Sequence, residues 1–225
     1  MKISIIMPTY NEKKTVLKIL EKVKNVPIDK EIIIVDDGST DGTREILNKI
    51  KEEGIKIILK ENNEGKGAAV REGLKHITGE VVVIQDADLE YEPNDWIEML
   101  KIMEKNNLSV VYGSRILGKG KKSSFFFYLG GRILSFLANF FYNAGITDES
   151  TCYKMFKTKV IKEINLKCKG FEFCPEITAK VRKKGYKITE VPISYYPRSV
   201  KEGKKIKWKD GIEAIWTLLK YRFIN

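Results

Sequence analysis

Short apolar runs alternate with stretches of helical period along the first half of the chain. Residues 3–7, 31–35, 55–59, 81–84 and 109–112 are runs rich in Ile and Val, each too short for a buried helix. Between them, residues 12–23, 43–51, 68–77 and 94–105 repeat apolar positions at helical spacing, as Val16, Leu17, Ile19 and Leu20 do in the first. Unbroken β-branched strands separated by helices predict an α/β fold with a mostly parallel sheet, helices on both faces and right-handed crossovers. The pattern changes after Gly113. A Gly- and Lys-rich basic loop at 118–122 leads into an aromatic, apolar stretch at 125–142, interrupted by Arg132 and Asn139. Strands at 151–157 and 187–196 and helices at 173–184 and 210–221 follow. The last helix carries Trp208, Ile212, Ile215, Trp216, Leu219 and Phe223 along one stripe. A chain of 225 residues without internal repeats reads as a single domain, 1–225.

Ligands of such sheets bind outside the carboxyl ends of the strands. Here those ends carry Tyr10-Asn11-Glu12, Asp36-Asp37, Asp86-Ala87-Asp88 and Arg115. Polar groups directly abutting buried runs on one edge predict a cleft. Asp86 and Asp88, at i and i+2 beyond a strand, can lean toward one point, with Glu90 two residues on. Hard oxygen donors of this kind suit Mg²⁺ or Mn²⁺ on a diphosphate. In Asp36-Asp37-Gly38-Ser39-Thr40-Asp41-Gly42-Thr43 the glycines allow a tight turn, Asp37 can accept from a base or ribose, and Ser39, Thr40 or Asp41 can cap the next helix. Gly65-Lys66-Gly67 opens a helix without the spacing of a P-loop, and a phosphate role is the alternative reading.

Composition narrows the chemistry. Cys152, Cys168 and Cys174 are an odd set with no CxxC spacing, against a disulfide framework or a thiolate zinc site. The single histidine, His76, excludes most His-based metal sites and Ser–His–Asp chemistry, and reads as structural. The net charge of +11 is concentrated at one end: residues 182–225 carry 12 Lys/Arg against 4 Asp/Glu, and the preceding 181 residues carry 29 against 26. Such a basic end on a near-neutral body predicts an anionic partner: a phosphate, a membrane or a nucleic acid.

The motifs in combination say more than any one of them. Pro8-Thr9-Tyr10-Asn11-Glu12, DDGSTDGT at 36–43, Asn63-Glu64-Gly65-Lys66-Gly67, DADLE at 86–90 and Gly113-Ser114-Arg115, in this order, closely resemble family-2 glycosyltransferases of the GT-A fold. Three later segments resemble the polyprenyl-phosphate sugar synthases among them, dolichyl-phosphate mannose and glucose synthases in particular. They are residues 147–156, residues 170–176, and Val191-Pro192-Ile193-Ser194-Tyr195 with Arg198 and Glu202-Gly203-Lys204-Lys205. The resemblance covers essentially the whole chain and implies a nucleotide-sugar half at 1–115 and an acceptor half at 116–225 with C-terminal amphipathic helices. It implies that Pro8, Tyr10, Glu12, Val35 and Asp37 hold the nucleoside. Asp86, Ala87 and Asp88 would meet ribose and diphosphate, with Asp88 on the metal. Glu90, where the family often has Gln, would be a second metal ligand. Arg115 would meet the transferring sugar or acceptor phosphate, Arg132 and Ser135 the acceptor phosphate, and Arg198 and Lys204 the diphosphate.

The resemblance thus implies an inverting, metal-dependent hexosyltransferase. It would use a GDP-mannose- or UDP-glucose-type donor and a polyprenyl (dolichyl) phosphate acceptor. A lipid phosphate is largely a dianion at pH 7 and needs positioning and cations, not a base. A hydroxyl acceptor, the alternative, would need one, with Asp148 as candidate and Glu176 behind it. Residues 125–142 fall short of an uninterrupted apolar span and predict a helix lying in the headgroup plane, a core or dimer-interface helix being the alternative. The basic run Lys201, Lys204, Lys205, Lys207 and Lys209 would reinforce it on anionic lipid. Met1-Lys2 leads straight into a strand and the chain stops at Asn225, so neither a signal peptide nor an anchor is expected. The expected location is peripheral, on the cytoplasmic face of the cell membrane. A nucleic-acid-binding module is the remote alternative. The C-terminal aromatics sit at helical spacing rather than as stacking platforms, and no nucleic acid is expected as partner.

Overall fold

The computed structural model describes residues 1–118, 120, 124–199 and 203–224. Lys119, Lys121 and Lys122 of the anticipated basic loop, Lys201 and Glu202 of the C-terminal run, and Asn225 lie outside the described residues. In chain order the first half runs β1 (Ile3–Thr9), α1 (Val16–Asn25), β2 (Lys30–Asp36), α2 (Thr43–Asn48), β3 (Ile55–Leu59), α3 (Lys66–Leu74), β4 (Val81–Ile84), α4 (Asp95–Lys105) and β5 (Val110–Ser114). The second half runs α5 (Phe125–Tyr142), β6 (Lys154–Lys157), α6 (Thr158–Glu163), α7 (Phe173–Lys183), β7 (Thr189–Pro192) and α8 (Trp208–Phe223).

One seven-stranded sheet has the order β3-β2-β1-β4-β6-β5-β7. β1, β2, β3 and β4 are mutually parallel, as the unbroken apolar runs predict. β6 is inserted antiparallel between β4 and β5, and β5 pairs parallel with β7. β6 is also shorter than the expected 151–157. Met155 and Phe156 are buried, so its run reads as doubly covered whichever way the strand points. Period 2 with burial on both faces carries no information on direction. The seventh strand is likewise shorter than 187–196: it ends at Pro192, which has no N–H for the ladder. The chain then touches β4's exit loop through a lone Tyr91–Tyr195 bridge. α1 begins at Val16 instead of residue 12, because Asn11 sits in the left-handed region at φ 49° and residues 12–15 form a turn over the cleft.

Ile3, Ile5, Ile6, Val35, Val81, Val83, Met155 and Phe156 are among the residues filling the core. This places the carboxyl ends of β1, β2 and β4 side by side, as expected for a GT-A sheet. Two glycines are required by geometry at that edge. Gly38 has φ +76° and a Cβ there would lie 2.7 Å from the Asn63 backbone nitrogen; Gly65 has φ +102° with the Lys169 carbonyl 2.5 Å from the same point. α5 and α8 pack on one another and on α7, with Tyr142 donating to the Leu218 carbonyl at 2.5 Å.

Candidate active site

A cavity of about 550 Å³ opens on the carboxyl edge of the sheet. Pro8, Tyr10 and Glu12 reach it from β1, Asp37 from β2, Lys66 from the first turn of α3, Asp86, Ala87, Asp88 and Glu90 from β4, and Arg115 from β5. Tyr195, Arg198, Lys204 and Lys205 close it from the segment after β7. Asp37 and Asp88, from two different strands, thus face one hollow. Most of the anticipated site residues are brought together.

Charge balance organises the cleft. Asp37 is almost fully buried and accepts from Lys60 Nζ at 2.5 Å, from Glu64 N–H at 3.1 Å and from Gly65 N–H at 2.7 Å, fixing the loop that launches α3. Asp86 pairs with Lys66 Nζ at 2.5 Å, and that ammonium lies over the Phe171 and Phe173 rings. Arg198 sits among three carboxylates. It donates to Glu12 Oε2 at 3.1 Å and Asp88 Oδ2 at 2.7 Å, and its Nε lies 3.5 Å from Glu90 Oε1. Lys205 adds a contact to Glu12 Oε1 at 2.5 Å and one to the Tyr10 carbonyl. Burial and the neighbouring Asp86 charge push the Asp88 carboxyl up to about 7, against the opposing pull of Arg198. A carboxylate so crowded by its own kind gains most from a divalent cation, and its hard oxygens fit Mg²⁺ or Mn²⁺. Among the described residues, however, no three His, Cys, Asp or Glu side chains form a ready cage. Glu90 is engaged elsewhere: its Oε2 accepts from Tyr195 Oη at 2.8 Å and its Oε1 from Arg198 N–H at 2.9 Å. It latches the post-β7 segment; Asp88 is engaged as well, its Oδ1 accepting from Glu90 N–H at 3.0 Å and its Oδ2 from Arg198.

Arg115 and Asp148 make a bidentate pair, Nε to Oδ2 and Nη2 to Oδ1, both at 2.7 Å, with the Arg115 N–H donating to Oδ2 at 2.9 Å. Burial pushes the Asp148 carboxyl up, but Arg115 outweighs it and holds the group below the usual carboxylate range. A base so weakened and with both oxygens occupied is poorly suited to take a proton, so Asp148 positions Arg115. Glu176 is not behind it. That carboxylate accepts from the Lys167 and Cys168 N–H groups, from Lys180 and from Tyr221, and braces a turn outside the cleft.

Three other expectations change. The Val35 side chain is fully buried in the core beside α3 and does not line the cleft. Ser135 is buried too: it donates to the Gly131 carbonyl at 2.9 Å and accepts from Glu149 N–H at 2.9 Å, so it fixes the 147–150 segment. Arg132 is exposed and donates to the Thr147 carbonyl at 3.0 Å, outside both cavities. Lys204 does line the cleft, with its Nζ 4.7 Å from the centre of the Phe127 ring. The reach to Glu12 belongs to its neighbour Lys205. His76 pairs at the surface with Lys56 and Glu72. The sequence reading missed Lys60, gave Lys66 a helix start with a phosphate role as the lesser alternative, and left Tyr195 and Lys205 without separate roles. The run Gly65-Lys66-Gly67 carried the signal for Lys66, since a lysine at the first turn of a cleft helix points at whatever the strand ends hold.

A second cavity, of about 440 Å³, adjoins the first. Its walls are the facing sides of α5 and α8, including Phe126, Ile133, Trp208, Ile212 and Ile215. Arg115, Ser150, Tyr195 and Lys204 line both cavities, so the charged cleft and the apolar groove meet around them.

A twisted α/β sheet with a charged cleft at its carboxyl edge defines a ligand-binding domain of the doubly wound kind. The chain belongs to glycosyl transferase family 2, whose model matches residues 4–165. Over 99% of its length it is 27% identical to the low-salt glycan biosynthesis hexosyltransferase Agl6 of Haloferax volcanii, of which it spans 53%. Over 97% of its length it is 32% identical to the dolichyl-phosphate beta-glucosyltransferase ALG5A of Trichomonas vaginalis, of which it spans 72%. The chain therefore covers about half of the first relative and under three quarters of the second. In fold it matches glucosyl-3-phosphoglycerate synthase from Mycobacterium tuberculosis, solved with Mn²⁺, uridine diphosphate and phosphoglyceric acid. The TM-score is 0.75 at 17% identity, over 100% of this chain and 79% of that one. The architecture is the GT-A fold that the motif order implied.

Proposed function

We propose that the protein moves a hexose from a nucleotide-diphosphate sugar to a polyprenyl phosphate at a membrane surface. The observation that carries this is the junction of two unlike cavities at Arg115. One is lined by carboxylates and cations suited to a nucleotide diphosphate, the other by aromatic and aliphatic side chains suited to an isoprenoid tail. The naming of one relative for dolichyl-phosphate glucosyl transfer supports the acceptor, and the family membership supports the donor class.

In this reading Tyr10, Glu12 and Asp37 border the nucleoside, and Lys66, Arg198 and Lys204 face the diphosphate. Asp88 would hold a Mg²⁺ or Mn²⁺, which would supply charge stabilisation for the departing nucleotide. Arg198 leaves the carboxylates for the diphosphate as charge develops on the leaving group. Arg115, held rigid by Asp148, orients the acceptor phosphate, which attacks the anomeric carbon from the opposite face and inverts it. No proton need be removed from a phosphate dianion, which agrees with the low basicity of Asp148. α5 is 18 residues long and apolar enough, by length and composition, to cross a membrane. One of its faces nevertheless packs on α7 and α8 through Leu134, Ala138 and Tyr142. We therefore read it as lying in the headgroup plane of the cytoplasmic leaflet.

The test is transfer of labelled hexose from GDP-mannose or UDP-glucose to a polyprenyl phosphate in detergent with Mg²⁺. A solvent-extractable hexosyl-phosphate lipid is expected, and EDTA should abolish it. Glycosylation of a soluble alcohol with no lipid product would overturn the acceptor assignment.

A further inference from the structure

Two buried polar atoms, on residues that line the cleft, have no hydrogen-bond partner. Glu149 and Ser150 both line the 550 Å³ cavity. The Glu149 side chain is completely buried, with Oε1 accepting from Thr178 Oγ1 at 3.1 Å and lying 3.7 Å from Lys154 Nζ. Its Oε2 makes no hydrogen bond, and neither does Ser150 Oγ. Buried carboxylate oxygens are nearly always satisfied, because leaving one bare forfeits its hydration for nothing. The bare oxygen is not a product of a loose backbone. Ser135 holds the Glu149 N–H, Lys154 holds its carbonyl, and the Arg115–Asp148 pair pins the preceding residue. Nor is it needed to neutralise Lys154, which Oε1 and the carbonyl already face.

The chemistry of the missing partner follows from charge. Burial pushes the Glu149 carboxyl up against the pull of Lys154, a carboxyl oxygen offers phosphate no positive charge in either form, and the cations for phosphate are elsewhere in the cleft, on Lys66, Arg115, Arg198 and Lys204. A carboxyl oxygen and a serine hydroxyl are both groups that receive neutral O–H donors. Ser150 also lines the apolar groove, so it stands where donor and acceptor meet, with Glu149 next to it in the chain and lining the first cavity alone. There the group in transit presents its hydroxyls.

We propose that Glu149 Oε2, with Ser150 Oγ, binds hydroxyl groups of the transferring hexose and selects the sugar. The inference rests on the donor reading above. It makes Glu149 a specificity-determining residue and assigns it no proton transfer.

Glu149→Gln preserves shape but inverts polarity where it matters. The donors Thr178 and Lys154 hold the amide oxygen, leaving an NH₂ where the carboxylate oxygen stood. Calorimetric titrations with Mg²⁺ would compare wild type and variant for UDP, UDP-glucose, GDP and GDP-mannose. The variant should bind the preferred nucleoside diphosphate within about twofold of wild type, yet bind its sugar-bearing form at least about tenfold more weakly, the scale of one hydrogen bond to a charged group. Equal affinity for the sugar nucleotide in both proteins would overturn the inference and leave the donor reading standing. Failure of wild type to bind any of the four would overturn the donor reading and the inference together. If Glu149→Gln lowers the melting temperature too far for titration, Ser150→Ala, which leaves the Lys154 contacts intact, is read the same way. It should weaken only the sugar-bearing ligand, by about threefold or more. Unchanged binding there would equally sink the proposal.

Discussion

At the scale of single residues, the cleft is a set of charges that neutralise one another until a ligand arrives. The Arg115–Asp148 pair shows what this arrangement can and cannot do. Asp148 is 2% exposed and meets three donors from one arginine. Removing its charge leaves a buried guanidinium facing an amide that offers an NH₂ to other donors. Asp148→Asn should therefore destabilise the fold by about 3–5 kcal/mol, as breaking a buried pair does. It should also raise the KM for the lipid phosphate, because Arg115 loses its fixed direction. The pH–rate profile discriminates roles. A base would shift the acid limb on substitution, whereas a positioning residue, already ionised well below neutrality, lowers the rate at every pH and leaves the limb where it was. A displaced limb would restore Asp148 as base and, with it, the alcohol acceptor.

Elements are joined at their non-catalytic ends by a second carboxylate, Glu31. It opens β2 and accepts from Ser4 Oγ of β1 at 2.5 Å, from Thr78 N–H at 2.5 Å and Oγ1 at 2.6 Å, and from Lys2 Nζ at 3.2 Å. Burial raises its carboxyl, but these donors outweigh that and bring it down to about 2. A depressed carboxylate contributes stability above its unfolded value, near 4.3, and loses it as pH falls toward 2. The melting temperature of wild type should drop between pH 5 and pH 2.5, and Glu31→Gln should flatten that part of the curve while costing roughly 1–2 kcal/mol at pH 7. A curve of unchanged slope would show that the acid loss comes from elsewhere. At this scale the sequence was legible wherever a run ended on chemistry. Four strand–loop edges, those of β1, β2, β4 and β5, were readable because apolar runs give way within a few residues to Glu12, Asp36, Asp86 or Arg115. The direction of β6 was not, because Met155 and Phe156 are buried on either reading. Ser135 and Val35 were misplaced for a related reason: motif position says which loop or strand a residue occupies, but not which way its side chain turns. Glu149 was passed over because a buried acid next to Asp148 looks, in one dimension, like a second surface carboxylate.

For the whole molecule, the question is what keeps the apolar groove dry. α5 exposes Phe125, Phe126, Phe136 and Phe140, and α8 exposes Trp208, Trp216 and Phe223. Phe126 and Trp208 line the groove together with Lys204 and Lys207, and α8 also carries Lys209, Lys220 and Arg222. An aqueous surface does not retain so many large aromatics without a cover. We read the cover as an anionic bilayer, since the net charge of +11 is concentrated in this end of the chain. Trp216 is 65% exposed and Phe136 equally so, which means each has most of its side chain to immerse. Complete burial of such a side chain gives about 1.5–3 kcal/mol, and half of that is a fair figure for interfacial immersion. Phe136→Glu with Trp216→Glu should therefore lower partitioning onto vesicles of mixed phosphatidylcholine and phosphatidylserine by about tenfold or more, by the same arithmetic and with added repulsion. Nucleotide binding should be untouched, because neither residue borders the cleft. Raising salt should weaken wild-type partitioning, the basic residues being screened over a Debye length of about 8 Å at physiological strength. If the double variant stays on the vesicles and salt has no effect, the aromatic face is covered by something other than lipid. The apolar groove would then open onto protein.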